Sequence, residues 1–352
     1  MKTFVLAVAA TALSSLVPSP AMAQDLPPRV VGGLDVDATT PAPLVVRRSV
    51  EVDADPVDVF ATVSDDRAWV DWIDGVADVS RDAEVRTFAL GDGDALSETI
   101  VAADTPSVFG WSIQPGNPMG LEGHRGVLHV TLDAEDGEGS IVTLSAYFDH
   151  AAPDEILPVV ESGAAAITAG IADAHGGTLV QEVSGLDTIT VRTVRIAEGR
   201  VDDFWSVMVD GFGDVADWSS VISEASFFDI GDTSNDGLLG VGRKCFIPGF
   251  GAEVQERVVE VDRAAGRFAY EVLAGLPPFA SNGLSQWAFE DLGDGTVRVT
   301  STVTMDIADG TPGRAVGAAK ASFADLMTIS IDEFVHFAVT GTPHPRELAS
   351  RS

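Results

Sequence analysis

The chain has 352 residues and is strongly acidic, with 54 Asp and Glu against 21 Lys and Arg and a formal net charge of −33. A surface of this sign repels nucleic acid and anionic lipid, so neither is expected as a partner. The single cysteine, Cys245, excludes an intramolecular disulfide and indicates domains that are held together by packing alone.

Residues 1–23 have the pattern of a secretory signal peptide. An apolar run from Phe4 to Leu16 precedes the small-residue triplet Ala21-Met22-Ala23. The run is shorter than the roughly 20 residues that cross a bilayer, and no later window is predicted to be apolar enough to span a membrane, so stable membrane insertion is not expected. We therefore predict cleavage after Ala23 and a periplasmic or secreted protein. Residues 24–43, rich in proline and glycine, are predicted to form a flexible leader.

The remaining sequence carries one order of elements twice, in residues 44–177 and again in residues 186–341, followed by a tail at residues 342–352. Each copy is predicted to begin with a strand and two short helices, to continue as antiparallel hairpins, and to end with a long helix. Phe60 of the first copy corresponds to Phe204 of the second. The sequence therefore predicts one α+β domain present in duplicate.

The first elements of each copy have clear start signals. In the first copy a strand is predicted over residues 45–52, and Asp55-Pro56 then supplies an N-cap and a first-turn proline for a helix. A short helix follows around residues 69–73. In the second copy the strand is predicted over residues 188–196, and the second short helix contains Trp218.

The two closing helices differ in the size of their apolar side chains. In the second copy large residues recur at three- and four-residue steps, and Glu333 is expected on the opposite, polar side. The large residues include Phe323, Met327 and Phe334. In the first copy the equivalent helix, residues 154–175, has Gly163 and Gly170 on its apolar face. We expect a weaker helix there with more room beside it.

Several segments of the second copy match one known family. They are Gly240-Val241-Gly242-Arg243, Val254-Gln255-Glu256-Arg257, Tyr270-Glu271-Val272 followed by Leu276-Pro277-Pro278, and Gly293-Asp294-Gly295-Thr296-Val297. They are similar to the polyketide cyclase/dehydrase and lipid transport branch of the START-like, or SRPBCC, superfamily. The first copy lacks the Gly-x-Gly-Arg and Leu-Pro-Pro segments. The resemblance implies two tandem helix-grip domains, each a curved antiparallel sheet wrapped around a long C-terminal helix with two short helices. It also implies a cavity for apolar or amphipathic small molecules.

A carboxylate lies in an otherwise apolar row of one strand in each copy. Alternation places Glu256 on the same face as Val254 and Val258, and Glu98 is placed in the same way. A buried carboxylate is costly unless it is paired, so two equivalent ones suggest a purpose. Arg243, one strand earlier, is a candidate partner for Glu256. The resemblance implies that this Glu faces the cavity and helps to bind the polar end of a ligand, while a purely structural hydrogen bond remains the alternative.

Aromatic and methionine side chains complete the candidate site, although residues of these types at such spacings are often plain core. If the resemblance holds, they line the two cavities. They are Tyr270, Trp218, Trp287, Phe323, Met327 and Phe334 in the second copy and Trp111 in the first. Tyr270 is the most informative, because a buried hydroxyl requires a partner and could orient a ligand.

The sequence offers little support for a metal or cofactor. The histidines lack companions at ligand spacing, and the calcium-like run Asp232–Gly237 has Arg243 where an EF-hand requires Glu. The leading interpretation is an exported protein that binds or carries a hydrophobic or amphipathic small molecule, such as a lipid, isoprenoid or polyketide-like compound. Two alternatives remain open. One is a cyclase or dehydratase with Glu256 as general acid or base, and the other is a non-catalytic accessory to another exported protein.

Overall fold

The structure is a computed structural model that describes residues 30–31, 34–35, 44–91, 93–133, 139–150, 152–184, 188–229, 238–248, 251–308, 311 and 313–350. The predicted signal peptide and most of the predicted leader lie outside the described residues, as does the calcium-like run. The chain divides into two compact units: residues 27–186 with 312–320 form the first, and residues 187–311 with 321–352 belong to the second.

The first unit consists of a long antiparallel sheet and three helices. Its strands are β1 Val30–Val31, β2 Leu34–Asp35, β3 Leu44–Val52, β4 Val76–Asp82, β5 Val85–Leu90, β6 Ala95–Asp104, β7 Val108–Ile113, β8 Glu122–Leu132, β9 Ser140–Asp149 and β10 Gly177–Ser184. Its helices are α1 Pro56–Val63, α2 Asp66–Trp72 and α3 Pro153–His175. The sheet order is β10-β3-β9-β8-β7-β6-β5-β4, and β1 pairs with β2 separately.

Helix α1 begins as the sequence predicts. Asp55 is the N-cap residue with extended backbone, and Pro56 occupies the first turn, where a missing N–H costs nothing. The helix buries Val59, Phe60 and Val63 against the sheet core. Its exit and the following α2 then place Trp69 inside the unit, with an exposed fraction of 1%. These two short helices therefore pack large side chains against the buried face of the sheet.

Helix α3 is the closing helix of the first unit, and its small residues have two different consequences. A Cβ on Gly170 would lie 2.1 Å from the ring of Trp72, so the indole fills the space that the glycine leaves. The expected room beside the helix is therefore absent at this position. A Cβ on Gly163 would meet nothing within 4 Å, so room remains there.

One helix among the described residues is long and apolar enough to cross a membrane by length and composition, namely residues 155–175 of α3. The prediction that no such window exists beyond the leader is therefore wrong. The apolar residues Ile156, Ile167 and Ile171 of this helix are buried in the core of the first unit. Its apolar character is accounted for by packing against the sheet.

The second unit repeats the architecture with seven strands. They are β11 Thr188–Glu198, β12 Glu224–Asp229, β13 Gly242–Ile247, β14 Ala252–Asp262, β15 Arg267–Ala274, β16 Ala280–Asp291 and β17 Thr296–Ile307. The sheet order is β12-β13-β14-β15-β16-β17-β11, and neighbours are antiparallel. The helices are α4 Val201–Trp205, α5 Gly313–Thr340 and α6 Pro345–Ser350, and α4 continues as a π-helix over Ser206–Asp210 and a 3₁₀-helix over Phe212–Asp217.

Helix α5 contributes Phe334 to the core of the second unit. The ring of Phe334 is fully buried and contacts four other aromatic rings. They are Phe204, Trp218, Trp287 and Phe289. The prediction that Glu333 lies on a solvated face is wrong, since its exposed fraction is 0%. Glu333 accepts hydrogen bonds from the backbone N–H and the hydroxyl of Ser220, and burial raises its pKa. These bonds explain how a carboxylate is tolerated there.

Three boundaries differ from the sequence-based prediction. Strand β10 begins at Gly177, where the first copy was predicted to end, and pairs with β3, so the first sheet extends beyond that predicted boundary. Within the predicted leader, β1 and β2 form a short antiparallel pair in which Val30 lies opposite Asp35 and Val31 opposite Leu34. The predicted tail contains α6, which begins at Pro345, a residue that suits a first helical turn.

Candidate functional site

The second unit contains a buried Arg–Glu pair formed across two neighbouring strands. Arg243 of β13 and Glu256 of β14 are directly opposite in register, so their side chains share one face of the sheet. The Nε and Nη2 atoms of Arg243 donate to Oε2 of Glu256 at 2.8 and 2.5 Å. Their exposed fractions are 3% and 8%. The pairing that the sequence suggested is therefore present, and it is largely shielded from solvent.

The 3₁₀-helix after α4 covers the guanidinium of this pair. The Nη1 atom of Arg243 donates to the carbonyl of Phe212 at 2.6 Å, and the Phe212 ring centroid lies 3.9 Å from the Arg243 Cζ atom. Burial lowers the pKa of Arg243, but its neighbours together, Glu256 foremost with Cys245 and Tyr270, hold the pKa above its ordinary value. The site thus holds a permanent cation with hydrogen-bond and ring partners on several sides.

Cys245 and Tyr270 complete the surroundings of the pair. The Cys245 Sγ atom lies 3.7 Å from Glu256 Oε2, and burial raises the pKa of this thiol to about 12. The ring centroid of Tyr270 lies 5.3 Å from the Arg243 Cζ atom. Burial and the charge of Glu256 raise the Tyr270 pKa, against opposing hydrogen bonds with Ser285 and Trp287. Both groups are therefore protonated at neutral pH, which makes the tyrosine hydroxyl a hydrogen-bond donor.

The first unit contains an equivalent Arg–Glu pair, of which the sequence predicted only the glutamate. Arg86 of β5 lies directly opposite Glu98 of β6, and its Nε and Nη2 atoms donate to Oε2 of Glu98 at 3.1 and 2.6 Å. Asp66 lies 3.5 Å from Nη1 of the same arginine. Burial raises the pKa of Glu98, although Arg86 acts in the opposite direction. Glu98 was predicted as a site residue, but its partner was missed.

Four aromatic rings enclose Arg86. Its Cζ atom lies 4.1 Å from the ring centroid of Trp69, 4.7 Å from that of Phe88, 5.5 Å from that of Phe109 and 6.0 Å from that of Trp111. The exposed fraction of Arg86 is 0%. The pair in the first unit is therefore sealed by side chains of the protein itself.

The two pairs differ at two matching positions. Phe88 lies two residues after Arg86, and the same position after Arg243 is Cys245. Trp111 and Tyr270 also correspond. Each lies on the strand after the one that carries the buried Glu, directly opposite the residue two positions after that Glu. Trp111 is further accommodated by Gly126, where a Cβ would lie 2.1 Å from the indole. The second unit thus has smaller or more polar groups where the first has closely packed rings.

The other predicted site residues fall into two groups. Trp218, Trp287 and Phe334 come together in the core of the second unit, with ring centroids of the two indoles 5.6 and 5.2 Å from that of Phe334. Phe323 and Met327 lie outside this cluster, nearer the beginning of α5. The aromatic cluster and the Arg243–Glu256 pair are connected through Tyr270, which packs against the same core.

Among the described residues, no three His, Cys, Asp or Glu side chains lie together as candidate metal ligands. Glu256 receives all three of its hydrogen bonds at Oε2, so it acts here as an acceptor. The arrangement offers one neutralised ion pair, a protonated tyrosine and an apolar aromatic wall. Such a combination can orient an amphipathic molecule by a few polar contacts.

Similar solved structures include the di-domain ARO/CYC BexL from the BE-7585A biosynthetic pathway, at 13% identity over 84% of this chain and 97% of that one, with a TM-score of 0.35. The Zhui aromatase/cyclase from Streptomyces sp. R1128 matches at 16% identity over 43% of this chain and 94% of that one, with a TM-score of 0.38. No curated protein sequence matches the chain.

The family comparison covers both copies. The family model described as polyketide cyclase / dehydrase and lipid transport matches residues 43–182 and again residues 188–335. The first match includes the Arg86–Glu98 pair, and the second includes the Arg243–Glu256 pair. The chain therefore belongs to the polyketide cyclase / dehydrase and lipid transport family, of which it carries two tandem copies.

Proposed function

We propose that the second domain binds a hydrophobic or amphipathic small molecule, such as a lipid, an isoprenoid or a polyketide-like compound, beside the Arg243–Glu256 pair. The observation that carries this proposal is the contrast between the two pairs. Phe88 and Trp111 enclose the first pair, whereas Cys245 and Tyr270 take their places in the second. The second site therefore has smaller side chains at these two positions, one of which carries a hydroxyl group.

In this proposal the ligand lies between the second sheet and helix α5, as the helix-grip resemblance implies. The apolar part of the ligand contacts Trp287 and Phe334, and its polar end approaches Tyr270 and the ion pair. The pair is suited to this role because its two charges cancel, so a neutral polar group can approach without meeting a bare charge. A pocket of this composition binds mainly through apolar burial and takes its orientation from a few hydrogen bonds.

We also propose that the protein is exported and acts as a carrier or binding protein outside the cytosol. The signal-peptide pattern of residues 1–23 supports export. The net charge of −33 favours solubility and disfavours adsorption to anionic membranes, which suits a carrier that must release its cargo.

The proposal is tested by purifying the full-length chain gently, measuring its mass under native conditions, and extracting any bound apolar compound. We expect a co-purifying molecule or, failing that, binding from a panel of lipids and aromatic probes. Glu256→Gln should weaken binding by about 1–3 kcal/mol. Glu98→Gln is the matched control, because it alters the sealed pair and should leave affinity unchanged. If no compound co-purifies and no lipid or aromatic probe binds, the carrier function is contradicted and an accessory role is favoured.

Catalysis is a second candidate, supported by the position of Tyr270. A tyrosine that stays protonated next to an Arg–Glu pair can donate a hydrogen bond to a carbonyl oxygen of a bound polyketide-like substrate and stabilise the negative charge that develops there. Glu256 is less suited to be the general acid, since it accepts hydrogen bonds from the guanidinium. Tyr270→Phe separates the two functions: an enzyme loses turnover while substrate still binds, whereas a carrier loses only a modest part of its affinity.

A further inference from the structure

Two buried polar atoms beside the aromatic core of the second unit have no hydrogen-bond partner among the described residues. They are Nε1 of Trp218 and Oγ of Ser301. The exposed fractions of these residues are 5% and 0%. A buried polar group without a partner is unfavourable, so such atoms are rare in native proteins and require an explanation. Two of them in one compact core indicate a feature that the side chains of that core do not satisfy.

Both residues border the aromatic cluster around Phe334. The Trp218 ring contacts Phe334 directly. Ser301 lies opposite Trp287 in the β16–β17 register, and Trp287 also contacts Phe334. Along β17 the serine belongs to the buried alternate row, between Val299 and Val303. A hydroxyl in an otherwise apolar, buried row is unexpected for the same reason as the buried carboxylates, because burying a polar group is costly unless it has a partner.

Two other buried tryptophans have the indole partner that Trp218 lacks. Nε1 of Trp69 donates to the carbonyl of Val63 at 2.9 Å. Nε1 of Trp287 donates to Oγ of Ser285 at 3.1 Å. An indole N–H is a donor only, so Trp218 requires an acceptor. The Ser301 hydroxyl is able to donate as well, and an oxygen with two lone pairs can accept from both.

We propose that Trp218 and Ser301 form a subsite for a hydrogen-bond-accepting oxygen, such as a ketone, ester or ether oxygen, on an otherwise apolar ligand. This inference rests on the proposed function and narrows its ligand class. It selects oxygenated molecules over hydrocarbons of the same shape, because only the former satisfy the two donors.

The test uses fluorenone and fluorene, which have the same ring system but differ in one carbonyl oxygen. We expect the full-length chain to bind fluorenone roughly three- to tenfold more tightly than fluorene, as one or two neutral hydrogen bonds provide. Trp218→Phe should abolish this preference by weakening fluorenone binding more than fluorene binding. Ser301→Ala should reduce the preference. Trp72→Phe is the matched control, since Asp71-Trp72 of the first copy corresponds to Asp217-Trp218 of the second, and it should retain the full preference.

A second measurement avoids any dependence on the folding of the variants. In the unaltered chain, the infrared carbonyl stretch of bound fluorenone should lie below its position in hexane, because the oxygen accepts hydrogen bonds. An unshifted band overturns the subsite. Equal affinity for the two probes, or a preference that survives both substitutions, also overturns it while leaving the proposed function intact. Failure of both probes and of all lipids to bind overturns the subsite and the proposed function together.

Discussion

Replacing Glu98 with leucine removes the partner of an arginine that cannot lose its charge. Arg86 is fully buried, so the variant retains an uncompensated cation in the core of the first domain. Breaking a buried pair typically costs about 3–5 kcal/mol. Asp66, 3.5 Å from the guanidinium, and the surrounding rings offset part of this cost. We therefore expect a loss near the lower end of that range, about 3 kcal/mol.

The matched double variant, Arg86→Met with Glu98→Leu, removes both charges and keeps the volume apolar. Its stability should return to within about 1 kcal/mol of the unaltered chain, because no charge remains to be compensated. Urea unfolding combined with hydrogen exchange and mass spectrometry reports on β5 and β6 separately from the second domain. The reasoning is refuted if the single variant loses less than about 1 kcal/mol, or if the double variant is as unstable as the single one.

Three further predictions concern pH, packing and binding. Burial lowers the pKa of His124 to about 4, so below pH 6.5 the unfolded chain gains a proton that the folded domain does not. The free energy of unfolding should therefore fall by about 3 kcal/mol as the pH decreases from 6.5 to 4. Denaturant titrations should show a smaller fall for His124→Leu, and an identical fall would contradict the assignment. Gly126→Ala places a Cβ against Trp111 and should cost about 1–3 kcal/mol in urea unfolding, whereas an unchanged midpoint would show that the indole moves freely. Cys245→Phe introduces the ring that Phe88 supplies in the first domain; it should reduce fluorenone binding at least roughly tenfold in fluorescence titrations, and undiminished binding would show that this position does not control access.

Much of the architecture was predictable because it depends on local patterns. Alternation and turn signals predicted the duplicated order of strands, and the Asp55-Pro56 pair marked the start of α1. The inward row of β14 predicted that Glu256 would be buried, and Arg243 was then the only basic candidate one strand earlier on the same face. Such inferences succeed where the period of the strand and the cost of burying charge point to the same result.

Other features depend on tertiary contacts that a single sequence does not display. Arg86 was missed because the first copy lacks the Gly-x-Gly-Arg segment, although its separation from Glu98 is within one residue of that between Arg243 and Glu256. Placing the strand partner directly opposite each buried Glu would have found it. Glu333 was assigned to the polar face of α5 by residue type, and only the loop at Ser220 explains its burial. The filling of the Gly170 space by Trp72 likewise follows from packing between helices.

The enclosed pair in the first domain has an evolutionary consequence. After a duplication, a copy that no longer contacts ligand is free to drift, but neither member of this pair is lost without cost. If Glu98 is lost first, Arg86 remains as a buried cation that cannot be neutralised. Loss of Arg86 first leaves a carboxyl group that can protonate, since burial already raises its pKa. Descendants that abandon the pair are therefore expected to pass through the arginine substitution first.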